Sequence, residues 1–176
     1  MARVVLVESF YGGSHRAWAD AWIRHSRHDI SLVTHPDEFW RWRLRGGAVT
    51  LAADFNAAVK QQGRPDAVVV SGLVDVAAFA GHARRSLGNT PLAVYVHESQ
   101  LLYPLAPNQR SDTSAALVNW QSLVASDAVW FNSSFHRDAL RNALPGLLGS
   151  QPVPTHSHLI DTVFERASVL WPGVEA

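Results

Sequence analysis

The sequence predicts an α/β fold, a Rossmann-like doubly wound parallel sheet, on three observations. Short aliphatic runs alternate with helix-spaced segments. The runs begin roughly 25 to 35 residues apart, the length of a βαβ unit with a right-handed crossover. A polar cluster follows each of the better-defined runs: Gly12-Gly13, Ser71-Gly72, His97-Glu98 and Asn132-Ser133. In a sheet of this kind ligands sit outside the carboxyl ends of the strands. The four clusters therefore converge on one edge, and function is sought there.

The first strand covers residues 4–7, a continuous β-branched and aliphatic run suited to burial on both faces. It leads into Gly12 and Gly13, which lack Cβ and let the backbone turn sharply or approach a ligand. Ser14 is the expected N-cap of a helix carrying Ala17, Trp18, Ala21 and Trp22. A helix N-terminus behind glycines presents free N–H groups and a positive dipole end, which suits a phosphate, although Gly-Gly is not the full dinucleotide fingerprint and also serves in plain βα turns. Residues 29–34 read as the second strand, stopped by His35-Pro36-Asp37.

Phe39-Trp40-Arg41-Trp42-Arg43-Leu44-Arg45 alternates rings and arginines. Read as extended, it puts Trp40, Trp42 and Leu44 on one face and the arginines on the other. Such a surface stacks bases and pairs phosphates, or forms a half-buried edge segment with a solvated arginine face. Residues 48–62 predict a helix with Leu51, Phe55, Ala58 and Val59 on one stripe, ended by Gly63. Residues 66–71 predict the third strand and residues 73–87 the third helix. The fourth strand, residues 91–96, delivers His97, Glu98, Ser99 and Gln100. The fourth helix, about residues 114–125, turns Leu117, Trp120, Leu123 and Val124 inward. The fifth strand, residues 128–131, ends at Asn132, and Ser133 or Ser134 caps a helix holding Phe135, Ala139 and Ala143. A short helix over residues 159–167 and an apolar run near Val169 close the chain.

The 176 residues suffice for one domain with a substantial core. Hydrophobic residues at 47% and charged residues at 17% exclude disordered and fibrous classes. With 15 basic and 15 acidic residues the chain is formally neutral, which argues against a domain that grips nucleic acid by charge alone. The basic side is nonetheless almost all arginine, the better residue for bidentate phosphate contacts, with Lys60 the only lysine. Without cysteine there is neither a disulfide framework nor a thiolate metal site. His156 and His158 lack carboxylate or cysteine partners, so no metal is expected there. Met1-Ala2-Arg3 runs directly into the first strand and no apolar run approaches about 18 residues, so no signal peptide or membrane span is expected, and the expected location is cytoplasmic.

Glu8-Ser9-Phe10-Tyr11-Gly12-Gly13-Ser14-His15, Trp40-Arg41-Trp42-Arg43, His97-Glu98-Ser99-Gln100-Leu101-Leu102-Tyr103-Pro104 and Phe131-Asn132-Ser133-Ser134-Phe135 stand in that order. Over about residues 3–145 this set resembles the N-terminal half of the tRNA-queuosine α-mannosyltransferase family. The resemblance implies one half of a GT-B glycosyltransferase: two Rossmann-like domains around a cleft, and retaining, metal-independent transfer of mannose from GDP-mannose to queuosine in a tRNA anticodon loop. No cofactor is implied. Gly12, Gly13 and Ser14, with Asn132 and Ser133, would lie at the donor. His97, Glu98 and His15 would face the reacting groups, and Trp40, Trp42, Arg43, Gln100, Arg110 and Asp112 the acceptor. Arg41 stands where the family often has histidine and Ser99 where it often has asparagine; Ser111 separates Arg110 from Asp112. The expected division is a domain over residues 1–168, the start of an interdomain connection over 169–176, and a donor-binding domain outside the chain, so that the chain alone transfers little or no mannose. Two alternatives stay open: a non-catalytic Rossmann-like module binding a nucleotide, a tRNA loop or a partner chain, and a related transferase with another sugar or acceptor.

Overall fold

A computed structural model describes residues 1–105, 107–108 and 112–173. Its strands are β1 (Arg3–Tyr11), β2 (Asp29–Pro36), β3 (Ala67–Ser71), β4 (Leu92–Val96), β5 (Ala128–Phe131) and β6 (Ala167–Val169). The helices are α1 (Gly13–His25), α2 (Trp40–Gln62), α3 (Val76–Leu87), α4 (Thr113–Ala125), α5 (Ser134–Gly149) and α6 (Ile160–Glu165). The strands form one sheet in the order β2-β1-β3-β4-β5-β6, and every neighbouring pair is parallel. The chain leaves β1 in one direction to reach β2 and in the other to reach β3. The switch point therefore falls between β1 and β3, where a crevice opens in such sheets.

Right-handed crossovers send α1 to one face and α2 to α6 to the other. The packing agrees. Val5, Val7, Val68, Val70, Val94 and Phe131 face a large core with residues of α2 to α6, including Leu51, Phe55, Phe79, Trp120, Leu144 and Phe164. Val4, Leu6, Val69, Ala93 and Tyr95 face a smaller one with Ala19, Trp18 and Trp22 of α1 and Trp130. Only Trp120 among these tryptophans is fully buried; the other three are half-buried over the thinner layer.

Several boundaries differ from the sequence expectation. The segment from Trp40 is not extended: α2 starts there and runs unbroken through Gly46 and Gly47. At about 100° per residue Trp40 and Trp42 stand about 200° apart, so the two rings do not share a face. Two helical glycines cost about 1 kcal/mol each against alanine. Burial of Leu44, Ala48, Leu51, Ala52 and Phe55 at helical spacing outweighs that cost. The N-cap of α1 is Gly12, not Ser14, and makes no side-chain capping bond. α3 starts at Val76, capped by Asp75, whose side chain accepts from Ala78 N. The inward stripe of α5 is His136, Leu140, Leu144, Leu147 and Leu148, and Phe135 is 84% exposed. In α4, Leu117 and Val124 are half-buried. β6 adds a sixth strand to the five expected: it begins at Ala167, where the last helix is expected to end, and takes only Val169 of the apolar run that closes the chain. Among the described residues no helix is long and apolar enough to cross a membrane.

Candidate functional site

At the carboxyl end of β1 the sequence turns from aliphatic to polar, and the turn is built by two glycines with different tasks. Gly12 is extended and buried; a Cβ there would come within 1.9 Å of the Asp37 carboxylate, so the absent side chain makes room for the loop after β2. Gly13 takes φ +51°, the left-handed region that favours glycine, and open space lies above it. Gly13 and Ser14 are both exposed, so the first turn of α1 meets solvent while His15, one residue on, is buried.

His15 is held between two carboxylates. Its Nδ1 lies 3.0 Å from Oε2 of Glu8 and its Nε2 lies 3.5 Å from Oε2 of Glu98. Glu8 is wholly buried, and its Oε1 accepts from Phe10 N at 2.8 Å and from Ser71 Oγ at 2.9 Å. Burial pushes the His15 imidazolium towards losing its proton, but the hydrogen bonds to Glu8 and Glu98 outweigh it and raise the pKa to about 9. The ring is therefore charged at neutral pH, although the N-terminal turn of a helix disfavours a cation.

His97 has the opposite character. Its ring lies 4.2 Å from that of His15, edge-on to Trp18 at 4.5 Å, and 4.7 Å from Tyr95. Burial first, then the proximity of His15 and His136, lowers its pKa to about 3, so it stays neutral. Asn132 supports it from β5: its Nδ2 donates to the His97 carbonyl at 2.8 Å, and its Oδ1 faces His136 Nδ1 at 3.2 Å. Ser133 caps α5, accepting from His136 N at 3.1 Å. Asn132 and Ser133 thus spend their polar groups inside the protein.

Above this cluster lies a cleft of about 780 Å³, lined among others by Phe10, Ser14, His15, Trp40, Glu98 and Gln100. This volume accommodates a ligand of nucleoside or sugar-nucleotide size. Glu98 reaches it from the end of β4, with a side chain 33% exposed. Trp40 forms part of the wall with the Arg41 guanidinium over its ring at 4.7 Å. Asp112 also borders the cleft, yet both its oxygens are engaged: Oδ1 caps α4 by accepting from Ala115 N at 3.0 Å, and Oδ2 accepts from Arg45 at 2.6 Å. The Arg45 bond and the cap hold it down at a pKa of about 2, against a smaller upward push from desolvation.

The sequence-expected residues therefore divide. Ser14, His15, Glu98, Gln100, Trp40 and Asp112 meet at the cleft. Gly12, Gly13, His97, Asn132 and Ser133 are not among the residues that line it. Trp42, 65% exposed, packs over Gly46 of its own helix, and Arg43 donates to the Glu38 carbonyl at 3.2 Å. Arg110 lies outside the described residues. In the sequence Glu8 and His136 carry no assigned role and Ser71 only a place at the strand edge, though an acid inside an apolar strand is a readable signal, since buried acids are rare unless paired. The ligand-capable atoms of Glu8, His15 and His97 lie within 4.8 Å of one another. Both Glu8 oxygens and His15 Nδ1 are already bonded within the protein, whereas His97 Nε2 is buried without a hydrogen-bond partner.

Fold and site together define a Rossmann-like α/β domain with a polar, ligand-sized cleft at the carboxyl edge of its sheet. Residues 3–174 match the family described as tRNA-queuosine alpha-mannosyltransferase N-terminal, and the chain belongs to that family. It is also similar to a tRNA-queuosine alpha-mannosyltransferase of Drosophila melanogaster, 28% identical over 169 residues that cover 96% of this chain and 44% of the relative. The chain thus spans less than half the length of this relative.

Proposed function

We propose that the domain forms one wall of the active-site crevice of a two-domain, retaining GT-B glycosyltransferase, which transfers mannose from GDP-mannose to queuosine in tRNA. The observation that carries this reading is the cleft uniting His15, Glu98, Gln100 and Trp40 at the sheet's carboxyl edge. The name of the fly relative suggests the sugar and the acceptor. The same relative is more than twice as long as the matched stretch, so the wall that grips the nucleotide belongs to a second domain outside residues 1–168, with the connection starting near Val169.

Within this reading Glu98 accepts hydrogen bonds from sugar or acceptor hydroxyls, and His15 supplies a positive charge beside it. The exposed first turn of α1 at Gly13 and Ser14 faces the diphosphate edge. Trp40 and Arg41 line the acceptor side, where a ring and a guanidinium suit a base and its backbone. In transfer with retention the leaving phosphate helps remove the acceptor proton on the same face of the sugar. The protein's part is then orientation and charge stabilisation, and neither a metal nor a cofactor is required. The setting is cytoplasmic.

Calorimetry of the chain with GDP-mannose and with a queuosine-containing anticodon stem-loop tests this. Binding of GDP-mannose that is lost in Gly13→Val supports it, because valine is strained at that φ and covers the exposed turn. Stem-loop binding that ignores sugar nucleotides points instead to a non-catalytic module.

A further inference from the structure

We propose that Glu8 is the positioning residue of the site: anchored beneath the β1–β3 junction, it fixes the His15 ring so that Nδ1–H points inward to Glu8 and Nε2–H points outward to Glu98. Four observations carry this. Glu8 is fully buried. Its Oε1 is filled by two donors from separate elements, Phe10 N and Ser71 Oγ. Those two bonds leave Oε2 as the acceptor for His15 Nδ1 at 3.0 Å. A carboxylate has no proton to donate, so the imidazole nitrogen facing it carries one. That sets the ring orientation and leaves Nε2 to face Glu98 at 3.5 Å.

The two acids are not equivalent. Glu8 is immobilised on three sides and reaches no solvent, so it cannot bind a ligand. The Glu98 side chain is 33% exposed and lines the cleft, so it can turn from His15 to an arriving hydroxyl. When it does, Glu8 holds the ring in place and the outward Nε2–H remains directed at the cleft. The arrangement follows the pattern in which a buried carboxylate fixes the orientation of a working histidine and stabilises its charged form. The ionisable side chains around the ring are Glu8 on β1, Glu98 after β4 and the neutral His97, tilted against it at 38°. Relevance to transfer rests on the function proposed above; the location of the protons on His15 does not.

The test is nitrogen-detected NMR of the histidine rings in the chain. In the unmodified protein at pH 7.5 both nitrogens of His15 are expected to carry protons; a neutral ring overturns the proposal. In Glu8→Gln the side-chain amide still accepts from Phe10 N and Ser71 Oγ, but turns an N–H towards Nδ1. The His15 titration midpoint is then expected to fall by at least about 1.5 pH units, roughly thirtyfold in proton affinity, in a chain that stays folded by circular dichroism. A folded Glu8→Gln variant with an unshifted midpoint overturns it. In Glu98→Gln the midpoint should fall less than in Glu8→Gln; a larger fall would make Glu98 the residue that fixes the ring. If the full-length enzyme transfers no mannose to queuosine in tRNA, the transferase reading fails while these spectra still decide the role of Glu8.

Discussion

At the scale of single residues the site opposes two histidines, one held charged and one held neutral, with ring centroids 4.2 Å apart. Their protonation links to stability with opposite signs. His15 has its pKa raised to about 9, so its contribution is complete below about 6.5 and is lost as pH rises through about 9. His97 has its pKa lowered to about 3, so its contribution is present above about 6.5 and is lost as pH falls towards 3. Denaturation followed across pH should therefore show that His97→Phe flattens the acid limb, and that Glu8→Gln flattens the decline between about pH 6.5 and 9. The two glycines differ as sharply. Gly12→Ala should destabilise the chain by about 1–3 kcal/mol in urea melts, because the new methyl displaces Asp37. Gly13→Ala meets no neighbour and should cost only the left-handed backbone term, about 1 kcal/mol.

At the scale of elements the cleft rim is tied together by the ends of helices. Asp112 both caps α4 and pairs with Arg45 near the start of α2, so one carboxylate joins the tryptophan-arginine segment to the far side of the cleft. Asp112→Ala should lower stability by about 1 kcal/mol through the lost cap, and Asp112→Ser should recover most of it, since serine also caps. The pair with Arg45 is partly exposed and adds little to stability in physiological salt. The run of α2 through Gly46 and Gly47 makes its own prediction. A Cβ on Gly47 would find His35 no nearer than 3.5 Å, an ordinary contact, so Gly47→Ala should stabilise the chain by about 0.5–1 kcal/mol. An extended segment there would give no such gain. The alternation of rings and arginines is a local pattern that reads as extended, but buried Leu44 continues the stripe Ala48, Leu51 and Phe55 that sets the helix into the core.

At the scale of the whole molecule, five helices among the described residues cover one face of the sheet and α1 covers part of the other, a consequence of crossover handedness and of strand order. The carboxyl edge gathers the ends of β1, β3, β4 and β5 around a cleft open to solvent. In the function proposed here that cleft is half a site. The chain alone should show no measurable mannose transfer in a labelled-donor assay, and turnover by the chain alone would refute the two-domain reading.

The sequence by itself determined the parallel α/β fold and the edge where the cleft lies, because aliphatic runs, helical periodicity and glycine turns are local signals that the tertiary structure had no reason to override. It also carried the family, through four motifs in order. Only the tertiary structure decided which polar residues work together. Glu8 and Ser71 are 63 positions apart and become partners because β1 and β3 pair. His15 and Glu98 face one another because α1 begins beside the end of β4. Asn132 and Ser133, read as ligand contacts, turn inward because α5 and the His97 carbonyl needed their hydrogen bonds. Whether a polar side chain faces a ligand or satisfies its own protein depends on neighbours distant in the chain, and those are fixed only when the sheet closes.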